Sequence, residues 1–153
     1  MNRMKTLRVG FVALVAAVTG VFVAPAPSMA DGDYYDACSA SWVSCQTGTR
    51  VYSTAGYCET IVAEYGSTRI CVDYDGDYVY VYDGAGDQNS AMGYISNNIG
   101  DVLDRHCRNP YGAGTWARCN FDWAEAGPKD VSAGIRFSST SWRYGYLWTF
   151  SNY

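Results

Sequence analysis

Histidine occurs once in the 153 residues, at His106, and glutamate only as Glu59, Glu64 and Glu125. Beyond residue 30 the sole lysine is Lys129. There is no Gly-x-Ser-x-Gly elbow, no heptad, no repeat of fixed period and no helical hydrophobic period of useful length. Each absence removes a class of activity. A serine or cysteine nucleophile needs a base, and one imidazole is all the chain offers. Asp104 and Arg105 beside it complete no triad, so His106 reads as a strand residue next to Cys107. A glycosidase needs two carboxylates flanking a cleft. Asp122-Trp123-Ala124-Glu125 is the one tight cluster of acids with an aromatic ring, and its spacing sets up no catalytic pair. Asp73, Asp75 and Asp77 alternate, but an EF-hand loop begun there would place Tyr78 and Gly84 where glycine and glutamate are required. Asp83, Asp87 and Asn89 read as loop polarity. The expectation is a protein without catalytic residues, cofactor or resident metal.

What is present concerns compartment and bracing. Met1 to Arg8 carries Arg3, Lys5 and Arg8 and no acid; Val9 to Val23 is almost continuously apolar; Ser28-Met29-Ala30 suits a signal peptidase. The apolar run is short for a membrane span and is followed by Pro25 and Pro27. Residues 1–30 are therefore expected to be a cleaved signal peptide, the product secreted, and no membrane attachment left. All six cysteines lie downstream, at Cys38, Cys45, Cys58, Cys71, Cys107 and Cys119. An even count in an oxidising compartment implies three disulfides. The leader holds three of the eleven basic residues and none of the fifteen acidic ones, so the remainder carries 8 − 15 = −7. That charge repels phosphate backbones and argues against a nucleic-acid partner.

The remaining sequence divides into residues 31–37, an acidic segment expected to be an extended arm, and residues 38–153, a disulfide-braced β domain. Strand composition recurs at 50–55, 57–64, 68–74, 77–82, 91–96, 102–108, 115–121 and 131–137. Asp75-Gly76 between two of these predicts a two-residue hairpin turn with two positive φ angles. That turn pairs Val72 with Val79 and Ile70 with Val81, leaving Tyr78, Tyr80 and Tyr82 opposite Asp73, Cys71 and Arg69. The cysteine amid the tyrosines predicts a partly covered second face. Asn109-Pro110-Tyr111-Gly112 reads as a turn; if it closes a hairpin, Cys107 and Cys119 face each other and bond. For Cys38, Cys45, Cys58 and Cys71 three pairings stay open. In the last segment Trp142, Tyr144, Tyr146, Trp148 and Phe150 alternate, predicting a strand whose one wholly aromatic face is buried. About nine strands with turn signals between them predict an all-β sandwich or barrel.

Fourteen tyrosines and five tryptophans suit interfaces, because each ring offers large contact area and one wet end. The leader Met-Asn-Arg-Met-Lys…Val-Ala-Leu-Val-Ala-Ala-Val, followed by a short six-cysteine chain rich in Tyr, Trp and Gly, resembles small exported proteins of filamentous high-GC soil bacteria. Among these it is similar in layout to the small adaptor subunit of umbrella toxin particles. The resemblance implies a non-catalytic protein that bridges larger secreted subunits, one toxin-bearing and one lectin-bearing, in an antibacterial particle. A bridge needs two surfaces, and Asp33, Tyr34, Tyr35 and Asp36 of the arm are the expected partner-binding residues. Two other readings fit the composition. A protease inhibitor would present the loop between Cys107 and Cys119; a carbohydrate-binding module would stack sugars on Tyr111, Trp116 and Trp123.

Overall fold

Alternating apolar residues build the central strands of the computed structural model, which describes residues 36–151. Ten strands are formed among the described residues: β1 (Val43–Thr47), β2 (Thr49–Val51), β3 (Tyr57–Thr60), β4 (Arg69–Asp73), β5 (Tyr78–Tyr82), β6 (Ser90–Asn97), β7 (Asp104–Asn109), β8 (Trp116–Asn120), β9 (Pro128–Arg136) and β10 (Trp142–Ser151). They form two five-stranded sheets, ordered β1-β7-β6-β9-β10 and β2-β8-β5-β4-β3. The expected all-β sandwich is what the chain forms. All pairings are antiparallel except β1 with β7, which is parallel.

One sheet turns Ile70, Val72, Val79, Val81, Ala117 and Cys119 inward, and the other turns Ala91, Ile95, Cys107, Val131 and Ala133 against them. Burying a side chain of valine or isoleucine size contributes roughly 1.5–3 kcal/mol, so these two apolar layers supply the main stabilisation. At one side of the sandwich the chain passes from β1 to β2, and so from one sheet to the other, through Gly48 alone. A Cβ at that corner would lie 2.8 Å from the Ala117 Cβ, which only glycine avoids. The opposite side is left with β3 and β10 as neighbouring edges. There the Tyr57 ring meets Trp148 edge-on at 5.0 Å.

The β4–β5 register pairs Val72 with Val79 and Ile70 with Val81, and Cys71 and Tyr80 on the other face are buried as expected. The turn differs from the two-residue type. Tyr74–Gly76 forms a 3-10 turn and only Asp77 takes a positive φ, 53°. The connection is thus a four-residue loop, the kind built around successive right-handed residues. β1 has no counterpart in the sequence expectation, and β9 begins at Pro128, ahead of the strand expected at 131–137. Proline is tolerated there because it opens the strand.

Three disulfides brace the domain: Cys38–Cys45, Cys58–Cys71 and Cys107–Cys119. The first pins the segment before β1 and the second crosses the β3–β4 ladder. Cys107 and Cys119 bond with Cα atoms 5.8 Å apart. β7 and β8 belong to different sheets, however, so this bond is a strut through the core and not the brace of a hairpin.

Residues 1–30, including the leader, lie outside the described residues, as do Asp33, Tyr34 and Tyr35 of the arm. Asp36 opens a 3-10 turn, Asp36–Ser39, and its N–H donates to the Ser139 carbonyl at 3.3 Å. Asp36 and Ala37, expected to be part of an extended arm, thus lie in a 3-10 turn. No helix among the described residues is long and apolar enough to cross a membrane.

Candidate binding surface

β10 is the longest strand and an edge strand, with β9 as its only sheet neighbour among the described residues. Its alternating aromatics were expected to share one buried face. They do not, because the pairing with β9 slips by one residue between Tyr146 and Trp148. Leu147 is the extra residue of a bulge, and a bulge reverses the side-chain alternation beyond it. Trp142, Tyr144 and Tyr146 consequently stand on the outer face, 38 %, 46 % and 60 % exposed. Trp148 and Phe150 turn inward, where Phe150 contacts the Trp123 ring at 5.8 Å and Tyr74 at 4.5 Å. The Trp148 indole N–H donates to the Tyr74 hydroxyl at 3.1 Å.

The outward rings are held in place. Trp142 and Tyr144 stack face to face, 4.2 Å between centroids and 11° between planes. Tyr94 of β6 lies 5.4 Å from Trp142 and 5.2 Å from Tyr144, two strands away. The gap is bridged because the intervening β9 residue beside Tyr144 is Gly134, which has no side chain. A Cβ at Gly134 would sit 1.9 Å from the Arg143 carbonyl oxygen. His106 then meets Tyr94 edge-on at 4.9 Å. Arg143 lies over the exposed Phe137 ring at 5.4 Å, beside the β9–β10 turn. Tyr146 is fixed at its hydroxyl by Thr149, 3.0 Å away, whose own hydroxyl bonds Asp130.

His106 is a buried residue of β7. Burial pushes its imidazole down to about 4, with nearby Asp104 opposing only weakly. It is a neutral ring at pH 7, packed under an aromatic cluster. The Asp122–Glu125 cluster also disperses: Trp123 is core, Asp122 and Glu125 are exposed, and the Trp123 backbone N–H donates to the Asp77 carboxylate at 3.1 Å. Burial of Trp123 removes it from the sugar-stacking set; Tyr111 and Trp116 are half-buried. Trp116 packs on Tyr82 at 5.1 Å, and Arg118 covers Tyr78 at 4.6 Å, so the outer face of the second sheet is largely self-covered. Arg105, Lys129 and Arg136 are buried cations. Arg105 donates to the Asp122 and Val102 carbonyls, and Lys129 to those of Glu125 and Gly127. Burial holds Arg105 and Lys129 below their ordinary range.

Tyr94 and Gly134 were not singled out in the sequence; the only available signal was tyrosine within an apolar strand. No group of three or more His, Cys, Asp or Glu able to hold a metal ion is formed among the described residues. Comparison with protein-family models, curated proteins and solved structures finds no match. The three disulfides fit an oxidising compartment.

Proposed function

We propose that the chain is a secreted, non-catalytic binding protein that docks a larger protein along the β10 edge and its outer aromatic face. The observation that carries this reading is the bulge at Leu147, which places Trp142, Tyr144 and Tyr146 in solvent on an edge strand. An edge strand offers unpaired N–H and C=O groups to a partner, and proteins that avoid such pairing blunt the edge with lysine, proline or a very short strand. β10 has ten residues, no lysine and no proline. Rigid aromatics beside such an edge supply contact area at low entropic cost. Self-association along the same edge is opposed by the chain's net negative charge.

The finer reading follows the layout resemblance: an adaptor joining toxin-bearing and lectin-bearing subunits of an antibacterial particle. The β10 surface would serve one partner, and the arm residues Asp33, Tyr34, Tyr35 and Asp36 the other. Native purification from culture supernatant tests it. The protein should co-elute with much larger secreted chains identifiable by mass spectrometry. A double Tyr144→Ala, Tyr146→Ala variant should lose one association and deletion of residues 31–35 the other. A protein that runs only as a free monomer overturns the adaptor reading.

A further inference from the structure

The described chain enters the sandwich beside the exposed rings of β10. Cys38 is bonded to Cys45 of β1 and packs against Met92 and Tyr94 of β6. Both residues face away from the second sheet, since their neighbours Ala91 and Ile95 turn into the core. Two residues before Cys38, the Asp36 N–H donates to the carbonyl of Ser139, in the β9–β10 turn. Followed backwards from Cys45, the backbone therefore crosses the outer face of the β1-β7-β6-β9-β10 sheet and arrives at that turn. Residues 31–35 continue from a point whose bonding partner is only three positions before Trp142.

The face around that point is aromatic and, at this end, positive. Trp142 and Tyr144 are exposed. Arg136 pairs with Trp142 across the ladder, and Arg108 with Met92, the Arg108 Nε donating to Ser90 Oγ at 2.9 Å. Cross-strand partners share a face, so both guanidinium groups belong to this one. The acids Asp104 and Asp130 both pair with Ser96, at the opposite end. Residues 31–35 read Asp-Gly-Asp-Tyr-Tyr, two acids followed by two rings. The chain beyond residue 30 is net negative, so much of its surface repels such a segment, while the Arg108–Arg136 end attracts it. Reach is sufficient: five residues span up to about 17 Å, the width of three or four strands at about 4.8 Å each. A tethered segment also acts at an effective concentration on the order of millimolar, so weak ring contacts suffice to hold it.

We propose that residues 31–35 dock back on this face within the same molecule, Tyr34 and Tyr35 against the Trp142 and Tyr144 rings and the two acids toward Arg108 and Arg136. The segment is then a strap over part of the protein-docking surface. Its capture by one partner uncovers the face for the other. That coupling rests on the two-surface reading above, whereas the test needs no partner and can fail while the docking reading stands. Nuclear magnetic resonance of the disulfide-intact chain beginning at Asp31 supplies it. Ring-to-ring Overhauser contacts are expected between Tyr34 or Tyr35 and Trp142 or Tyr144, unchanged on tenfold dilution. In the double variant Tyr34→Ser, Tyr35→Ser the Tyr94, Trp142 and Tyr144 signals should move, while those of Val79 and Ala117 in the second sheet stay. If that variant fails to fold, the contacts in the unaltered chain carry the test alone. The proposal is overturned if the unaltered chain shows no such contacts, if Tyr34 and Tyr35 meet Tyr82 and Trp116 instead, or if a folded double variant leaves the three signals in place. Contacts that fade on dilution would come from the arm of a second copy and overturn it equally.

Discussion

Tyr146 and Trp148, two residues apart in one strand, point to opposite faces of their sheet. The single bulge residue between them separates a stretch that serves stability from a stretch that faces solvent. Phe150→Ala, beyond the bulge, should cost about 3–5 kcal/mol, the range for emptying a large buried aromatic site. Tyr144→Ala or Tyr146→Ala should cost about 1 kcal/mol, since the two residues are already 46 % and 60 % exposed. Urea denaturation of the three variants checks the contrast. Equal losses would mean that the aromatic stripe is one continuous packed face.

Gly134→Ala probes how closely β10 is seated. The added methyl would occupy the position of the Arg143 carbonyl, and backbone cannot rotate aside as a side chain does. A loss of roughly 1–3 kcal/mol is expected from the forced separation of β9 and β10. Near-ultraviolet circular dichroism should change as well, because the Tyr94, Trp142 and Tyr144 contacts cross the same glycine. A silent substitution at both readouts would contradict the close approach.

The Cys107–Cys119 strut links the two sheets, so replacing both residues by alanine removes a crosslink and leaves small voids in the core. About 2–5 kcal/mol of stability should be lost, the usual range for a native disulfide in a small domain. Cys38–Cys45 closes a shorter loop at the periphery, with a sequence separation of 7 against 12, and its removal should cost less. Intact mass after alkylation without reductant should show no modified thiol in the native protein.

His106 makes stability depend on pH in a definite direction. Its folded value lies near 4, below the ordinary 6.5 of an unfolded chain. Above about pH 6.5 the ring is neutral in both states. As pH falls from there to about 4 the unfolded chain takes up a proton that the folded one refuses, and stability drops by roughly 3 kcal/mol. Asp77 and Asp83 act oppositely. Burial raises both, so they penalise the folded state at high pH and relieve it as pH falls. Comparing the protein with His106→Gln isolates the histidine contribution: the fall in thermal midpoint from pH 7 to pH 4.5 should shrink in the variant. An equal fall would show that His106 is not held neutral. Partner association at pH 7 should survive the substitution in any variant that folds.

Much of the architecture is legible because period-two patterning and turn residues act locally. The β4–β5 register follows from Ile70, Val72, Val79 and Val81 alternating on either side of Asp75-Gly76. What is not legible depends on contacts distant in sequence. Trp142 to Phe150 keeps strict alternation through the bulge, so the reversal at Leu147 is set by the partner strand and leaves no local mark. Gly48 resembles any loop glycine until Ala117 is packed against it. Asp83 reads as one more polar loop residue; its burial is fixed by the bonds its backbone makes to Gly114 and Thr115.

Lys129 offers a chemical test of the core. It is the one lysine after residue 30 and its side chain has no exposed surface. The ammonium lies over the Phe150 ring at 5.5 Å and donates to two carbonyls, so no part of it reaches solvent. Acylation by an amine-reactive ester requires an accessible, neutral amine. Burial lowers the Lys129 value, which would favour the neutral form, but access governs here because the reagent is far larger than water. On a chain beginning at Asp31, the folded protein should therefore gain a single acyl group, at the α-amine. After unfolding in urea with the disulfides intact it should gain two. The labelling rate at Lys129 under native conditions then reports opening of β9 and β10, and should rise in Phe150→Ala as that edge is loosened. Rapid native labelling of Lys129 would place it at the surface and remove the cationic floor of this end of the core.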